Sequence, residues 1–317
     1  MPTTIPKTAE MQFKEKFVKR YSALTDIDKF KEYSFSYLRK SIRVNTLKIG
    51  VKEIVARMSP EWNLTPVPWC KEGFWIEHRG EGEAKRWDVG NTIEHILGYI
   101  YIQEAASMIP PLVLEPQAGE KVLDMCAAPG SKTTQIAQYM KNKGVIVANE
   151  LTGARIAALG VNLQRCGVSN TITTQMSGTR FYDMEFDRVL VDAPCSGTGT
   201  IRKSLKTVEM WNPSLASYLA KTQRQLIRAG FTVLKKGGTL VYSTCTLEPE
   251  EDEGVIDFLL NEFPDAKVEK IDIKLNRSEA VVEFEGKKYS EEVKKCLRIW
   301  PQDNDTEGFF VAKIRKV

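Results

Sequence analysis

From residue 120 onward the chain alternates strand-like and helix-like segments, and this rhythm limits the possible folds more than any other feature. Residues 121–126 read as a buried strand and 132–140 as a helix. Strands at 144–150, 170–176, 186–194, 237–246, 266–271 and 308–316 follow, with helices at 152–166, 213–234 and 249–263 among them. Strands separated by helices mean a mostly parallel sheet covered on both faces. The expected fold class is α/β, a doubly wound Rossmann-like sheet spanning residues 106–317. Ligands of such sheets sit beyond the carboxyl ends of the strands, so chemistry is to be sought there.

The first third has a different grain. Residues 9–33 carry Met11, Phe13, Phe17, Val18 and Tyr21 at helical spacing and read as one amphipathic helix. A short strand at 41–47, a helix at 51–58 and strands at 64–68 and 74–78 follow, a pattern that suggests a small α+β module. With the leading helix this module takes residues 1–105, and a chain of 317 residues is long enough for two domains. The first fifty residues hold eleven basic and five acidic side chains, net +6; the whole chain is +4, so residues 51–317 sum to −2. A basic end on a near-neutral body suggests a polyanionic partner. A solvated charged helix explains the same count. Trp62, Trp69, Trp75 and Trp87 fall here too, and core packing is their expected role over base stacking. The charged run 279–295 reads as a surface excursion.

Several chemistries are excluded early. His78 and His95 are the only histidines, too few and wrongly spaced for a histidine triad or a zinc protease motif. The six cysteines form no CxxC pair, so no metal site is expected. No secretory leader opens the chain, which points to free thiols in a reducing cytoplasm. The most apolar stretch, 98–114, is broken by Gln103, Glu104 and Pro110-Pro111 and reads as no membrane span.

The residues that could carry chemistry fall at strand ends. The first strand of the sheet runs into Asp124-Met-Cys-Ala-Ala-Pro-Gly-Ser-Lys-Thr133, a small-residue turn that opens a helix. Such a turn lets a ligand approach free backbone N–H groups. It matches neither the dinucleotide nor the nucleoside-triphosphate fingerprint. Glu150 ends the second strand, where an acid can accept hydrogen bonds from a ribose diol. Two later strands end in Asp192-Ala-Pro-Cys195-Ser-Gly and Tyr242-Ser-Thr-Cys245-Thr. Neighbouring strands lie about 4.8 Å apart, so if these two are adjacent, Asp192, Cys195 and Cys245 share one rim. Free cysteines usually lie among aliphatic residues; these two sit among Ser, Thr, Gly and Pro, as reactive thiols would. A thiol, a carboxyl and a nucleoside cofactor without histidine suit methylation of a pyrimidine. The thiolate adds to C6, C5 takes a methyl group from a sulfonium, and a base removes the C5 proton so the thiol can leave. Asp192 would stabilise charge at the N3/N4 edge of the ring.

Taken together, the turn at Asp124–Thr133, the Asp192-Ala-Pro-Cys-Ser-Gly-Thr-Gly-Thr motif, Tyr242-Ser-Thr-Cys-Thr-Leu-Glu-Pro-Glu-Glu and Arg298-Ile-Trp-Pro resemble the Nol/Nop/Sun family. These are RNA cytosine-C5 methyltransferases that use S-adenosylmethionine. The resemblance covers residues 41–316 with the motifs in order. It implies that Cys245 is the nucleophile and that Cys195 assists product release. It also implies a cofactor pocket lined by Cys126, Ala127, Ala128, Pro129, Gly130, Ser131, Lys132, Glu150, Arg155 and Asp192, with Asp192 also reaching the base. Residues 41–48 match the family's RNA-contacting segment, and Arg39, Lys40, Arg43 and Asn45 are the expected RNA contacts. Three positions depart from the pattern. Ser177 stands where the family usually has an Asp for the adenine amino group, Gln302 where it often has a His, and Thr246 where Ser often follows the cysteine. The layout, without an obvious further RNA-binding domain, resembles compact archaeal tRNA enzymes. The expectation is therefore a cytoplasmic, monomeric tRNA methyltransferase with no membrane partner. Ribosomal RNA, or an RNA-binding role without catalysis, is the alternative. DNA cytosine methyltransferases take their nucleophile from a Pro-Cys pair, here Pro194-Cys195, which is the competing assignment.

Overall fold

The structure is a computed structural model that describes residues 3–8, 11–81 and 88–317. Its first helical stretch is two helices, not one. α1 (Glu15–Ser22) stops, and Asp26 restarts the chain as α2 (Ile27–Ser34), its side chain accepting Lys29 N–H at 3.2 Å. An Asp in that position is a helix-start signal strong enough to divide an amphipathic run. Phe13, Phe17, Tyr21 and Phe30 bury their rings against Ile201, Val208, Trp211, Leu247 and Trp300. Arg20 is buried with them and pairs with Glu248 at 2.9 Å. The leading helices therefore dock on the body that follows.

β1 (Ser41–Val44), α3 (Val51–Met58), β2 (Trp62–Val67), β3 (Cys70–His78), α4 (Ile93–Ile96) and β4 (Ile100–Ile102) build the small module. Its antiparallel sheet has the order β2-β3-β1-β4; β4 lies in a stretch to which sequence periodicity assigns no element. Side chains alternate across a strand. Ile42 and Val44 join Ile54, Met58, Trp62 and Phe74 in one core, which sends Ser41 and Arg43 to the other face. Trp62 and Trp69 are buried as expected, and Trp75 lies under the Arg39 guanidinium, 3.8 Å from its ring centroid. Trp87 lies outside the described residues.

The chain enters the large sheet through α5 (Ile109–Leu114). It continues as β5 (Lys121–Asp124), α6 (Ser131–Tyr139), β6 (Val145–Glu150), α7 (Gly153–Cys166), β7 (Thr171–Gln175) and β8 (Phe186–Asp192). Next come α8 (Lys206–Met210), α9 (Pro213–Thr232), β9 (Leu234–Thr244), α10 (Glu253–Glu262) and β10 (Ala266–Glu269). The charged run forms a hairpin, β11 (Glu283–Phe284) and β12 (Lys287–Lys288), before β13 (Leu297–Ile299), α11 (Pro301–Asn304) and β14 (Phe309–Lys316). The strand order is β10-β14-β9-β8-β5-β6-β7, with β13 on β14. β7, β6, β5, β8 and β9 are parallel; β14 runs antiparallel between β9 and β10. Both faces are buried: Val122, Leu190 and Val241 pack on the α5 and α6 side, and Leu123, Val189 and Leu240 on the α9 and α10 side. The chain leaves β5 toward β6 and later returns to its other flank as β8, so a crevice opens at the carboxyl ends of β5 and β8.

Candidate active site

The turn between β5 and α6 forms one wall of the crevice. Gly130 caps α6 with φ +103°, a region that favours glycine, and a Cβ there would meet Leu159 at 3.0 Å. Ala127, Ala128 and Pro129 before it add only small side chains to the turn that leads into the N-terminus of α6, where free backbone N–H groups can meet a ligand. Asp124 beneath is buried. One carboxylate oxygen accepts Thr133 Oγ1–H at 2.7 Å, the other has no hydrogen bond, and burial pushes the group up to about 7. Burial also pushes the Cys126 thiol far above its ordinary range.

Glu150 ends β6 and is buried. Thr152 N–H donates to its Oε1 at 3.2 Å, and Arg155 Nη1 lies 3.3 Å from its Oε2. Arg155 Nη2 also donates to Ala128 O at 2.8 Å, bolting the turn to the acid. Oε2 of Glu150 accepts no hydrogen bond within the protein. A buried carboxylate oxygen with spare acceptor capacity beside a small-residue turn fits a ribose hydroxyl, so this donor and acceptor set can hold a nucleoside. Ser177 follows β7, and its hydroxyl lies 2.8 Å from Thr179 Oγ1 while accepting Thr179 N–H at 3.4 Å.

The other wall is the paired strand ends. β8 and β9 are adjacent, with Asp192 opposite Ser243. Ser243 Oγ–H donates to Asp192 Oδ1 at 2.7 Å and Lys132 Nζ to Oδ2 at 2.8 Å. Lys132 also donates to Ser107 Oγ at 3.0 Å. Burial works against its ammonium, but Asp192 more than offsets that and raises its pKa. The Cys195 and Cys245 sulfurs lie 3.2 Å apart, within hydrogen-bond reach. Cys195 is pushed well above the ordinary thiol range, first by its hydrogen bond to Cys245, then by burial and by the charges of Cys245 and Glu251. The structure thus brings Asp192, Cys195 and Cys245 to one rim. It adds partners that sequence reasoning missed: Ser107 beside Lys132, and Ser196, Thr246 and Glu251 behind the cysteines. In the sequence, the acid run Glu248–Glu253 reads as the end of the motif that begins at Tyr242 and as the start of a helix.

The expected RNA contacts divide. Arg43 is fully buried, donating to Ser131 O at 2.8 Å, Thr134 Oγ1 at 2.9 Å, Gln138 Oε1 at 3.3 Å and Gln103 Oε1. Asn45 is buried too, donating to Gly98 O and Cys166 O, both at 2.8 Å. Neither side chain can reach a phosphate, because this face of β1 is covered by α6 and the end of α7. That corrects the expectation for both. Arg39 is half-buried and pairs with Asp305 at 2.9 Å, while Lys40 is exposed.

Residues 111–315 match the family of 16S rRNA methyltransferase RsmB/F, and residues 13–105 match the N-terminal domain of 16S rRNA methyltransferase RsmF. A tRNA (cytosine(49)-C(5))-methyltransferase from Pyrococcus abyssi is 50% identical over 96% of this chain and 99% of its own. Ribosomal RNA small subunit methyltransferase F of Erwinia tasmaniensis is 44% identical over 98% of this chain, which spans 65% of that relative's length. A methyltransferase homolog protein from Pyrococcus horikoshii superposes with a TM-score of 0.85 at 38% identity, over 98% of each chain. NSun6 from the same organism, determined with SFG, an analogue of S-adenosylmethionine, gives 0.84 at 26% identity over 96% of this chain and 98% of its own. Among the described residues no helix is long and apolar enough to cross a membrane. With the crevice, the paired cysteines and these matches in agreement, the chain belongs to the RsmB/F family of S-adenosylmethionine-dependent RNA methyltransferases.

Proposed function

We propose that this enzyme methylates C5 of cytosine in tRNA, with Cys245 as nucleophile. The observation that carries the reading is the 3.2 Å contact between the Cys195 and Cys245 sulfurs on a rim that also holds Asp192. S-adenosylmethionine, when bound, supplies the methyl group. Gly130, Glu150 and Arg155 shape the wall that holds its nucleoside, and Ser177 lies at the position proposed for the adenine. The target base must leave its stack to reach the rim. Cys245 gives up its proton and its sulfur bonds to C6, which makes C5 electron-rich. Asp192, kept in place by Lys132 and Ser243, faces the N3/N4 edge and stabilises the charge that develops there. After C5 is methylated its proton leaves to a base, the C5–C6 double bond re-forms, and the Cys245–C6 bond breaks. Cys195, in contact with the leaving sulfur, serves that release.

Transfer RNA is favoured over ribosomal RNA because the tRNA methyltransferase of Pyrococcus abyssi is the more similar of the two, at 50% identity against 44% for the ribosomal enzyme of Erwinia tasmaniensis. RNA contact is proposed for Lys40 and the exposed part of Arg39. The protein is read as a cytoplasmic monomer, and gel filtration checks its size. The deciding experiment is methyl transfer to transcribed tRNA and to small-subunit rRNA fragments, followed by bisulfite mapping. Methylated cytosine in tRNA supports the reading. Modification of rRNA alone replaces the substrate, and no transfer to either defeats the catalytic assignment.

A further inference from the structure

The strand ladder that aligns β8 with β9 stops short of the cysteines. Its last rung is Asp192 with Ser243, followed by Ala193 N–H donating to Ser243 O at 2.9 Å. A 3.2 Å contact between two sulfurs on separate loops needs something else to fix those loops together. Close backbone approach does part of this: Gly199 N–H donates to Cys245 O at 3.0 Å, and a Cβ on Gly199 would lie 2.2 Å from Gly308 O.

The rest converges on one buried side chain. Glu251 Oε2 accepts Ser196 N–H at 3.0 Å and Gln223 Nε2–H at 2.8 Å; Oε1 accepts Ser196 Oγ–H and lies 3.4 Å from Thr246 Oγ1. Ser196 follows Cys195 and Thr246 follows Cys245, and their hydroxyls touch at 2.7 Å. Gln223 on α9 also donates to Pro194 O at 2.9 Å, steadying the residue before Cys195. The main chain of Glu251 is pinned from β9, where Tyr242 OH donates to its carbonyl at 2.6 Å. All four donors to the carboxylate are neutral, and Glu251 is fully buried. Burial pushes it up to about 7 against the pull of those hydrogen bonds. A buried acid without a cation is costly to keep, and this one bonds the residue that follows each cysteine.

We propose that Glu251 is a positioning residue for the cysteine pair, locking the loop that carries Cys195 to the loop that carries Cys245 so that the two sulfurs stay in contact. The proposal rests on the cysteine chemistry above and deepens it. Glu251 touches neither base nor cofactor. It acts through Ser196 and Thr246.

The test uses the full-length enzyme, an RNA that the wild type methylates, and the same RNA carrying 5-fluorocytosine. Glu251→Ala is expected to lower both covalent adduct formation and kcat by about tenfold or more, with KM for RNA within about threefold. Glu251→Gln keeps the tie, because its amide can accept from Ser196 N–H and Gln223 and donate to the two hydroxyls; it should recover most of the adduct rate. A purely structural role would lower melting temperature and active fraction without changing the rate per folded molecule. If Glu251→Ala melts below the assay temperature, Thr246→Val carries the test, with an expected partial loss of adduct rate. A wild-type adduct rate in the folded Glu251→Ala or Thr246→Val enzyme overturns the proposal, as does Glu251→Gln no better than Glu251→Ala. Failure of the wild type to form any adduct is a separate result, and it defeats the cysteine chemistry itself.

Discussion

The clamp at residues 39–48 and the rim of β8 and β9 are both polar side chains in a buried setting, yet they are finished differently. Arg43 places its guanidinium among five acceptors, four along α6 and one at Gln103 just beyond β4. Asn45 and Lys48 close over carbonyls at the end of α7, Lys48 reaching Arg165 O at 2.7 Å. At the rim, Asp192 is braced by two donors, but the sulfurs of Cys195 and Cys245 face chiefly each other. A polar group whose bonding is saturated by its own chain is an architectural fastening, since buried polar groups need partners. One that is braced from behind and left with a reactive atom in front is set for chemistry.

The sharpest way to break that contrast is to remove the sulfurs. Cys245→Ala should lower methyl transfer by about 10³-fold or more and abolish the adduct with 5-fluorocytosine RNA. Cys195→Ala should still form the adduct but fail to release it. Both should unfold within about 1 kcal/mol of the wild type, as each change removes only a partly buried sulfur. Adduct formation by Cys245→Ala and not by Cys195→Ala would reverse the roles and make Pro194-Cys195 the nucleophile. On the other side of the contrast, Arg43→Met should cost about 3 kcal/mol of stability by leaving buried acceptors unpaired. Its RNA affinity per folded molecule should stay at the wild-type value. Weakened affinity with full stability would return Arg43 to the RNA interface.

The same contrast explains what could be read from the residues alone. Asp192, Cys195 and Cys245 are local signals at strand ends, and the only tertiary fact they needed was that β8 and β9 are neighbours. A doubly wound sheet makes that neighbourhood a natural expectation. Arg43 and Asn45 mislead for a reason that periodicity cannot supply. Alternation places them on one face of β1, but only the docking of α6 and α7 says that this face is covered. Arg20 shows the same thing, contributing to the charge of the basic end while lying buried against Glu248. Counting charge says nothing of which charges meet solvent. The break between α1 and α2 is legible in Asp26, but the apolar spacing runs straight through it and hides it. Glu251 closes the motif that begins at Tyr242, but its role could not be read there, since that role depends on three elements converging on one carboxylate.

Asp124 lies between the two kinds of site, with one oxygen held by Thr133 and the other free of hydrogen bonds. Its folded pKa, about 7, stands above the ordinary 3.8. The native state therefore binds this proton more tightly than the unfolded chain does, and the linked stability is present at low pH and lost as pH rises toward 7. Asp124→Asn cannot lose that proton. Its melting temperature relative to the wild type should rise by a few degrees between about pH 5 and pH 8. A gap that stays constant over that range would mean Asp124 is ionised throughout and that its free oxygen is already satisfied.

The smallest effect tests where the clamp ends and the RNA surface begins. Lys40 is exposed immediately before the buried strand, and Arg39 is divided between Asp305 and solvent. Removing one side chain that neutralises a phosphate should flatten the dependence of log affinity on log salt by about 0.7–0.9. Lys40→Ala should show that change with unaltered melting, and Arg43→Met should show the reverse. If Lys40→Ala leaves the slope untouched, Lys40 is not among the positive charges that meet RNA. Lys203 and Lys206, exposed just beyond the Cys195 loop, then become the charges to remove. Their loop is tied to the start of the clamp, because Arg202 donates to Tyr37 O at 2.6 Å.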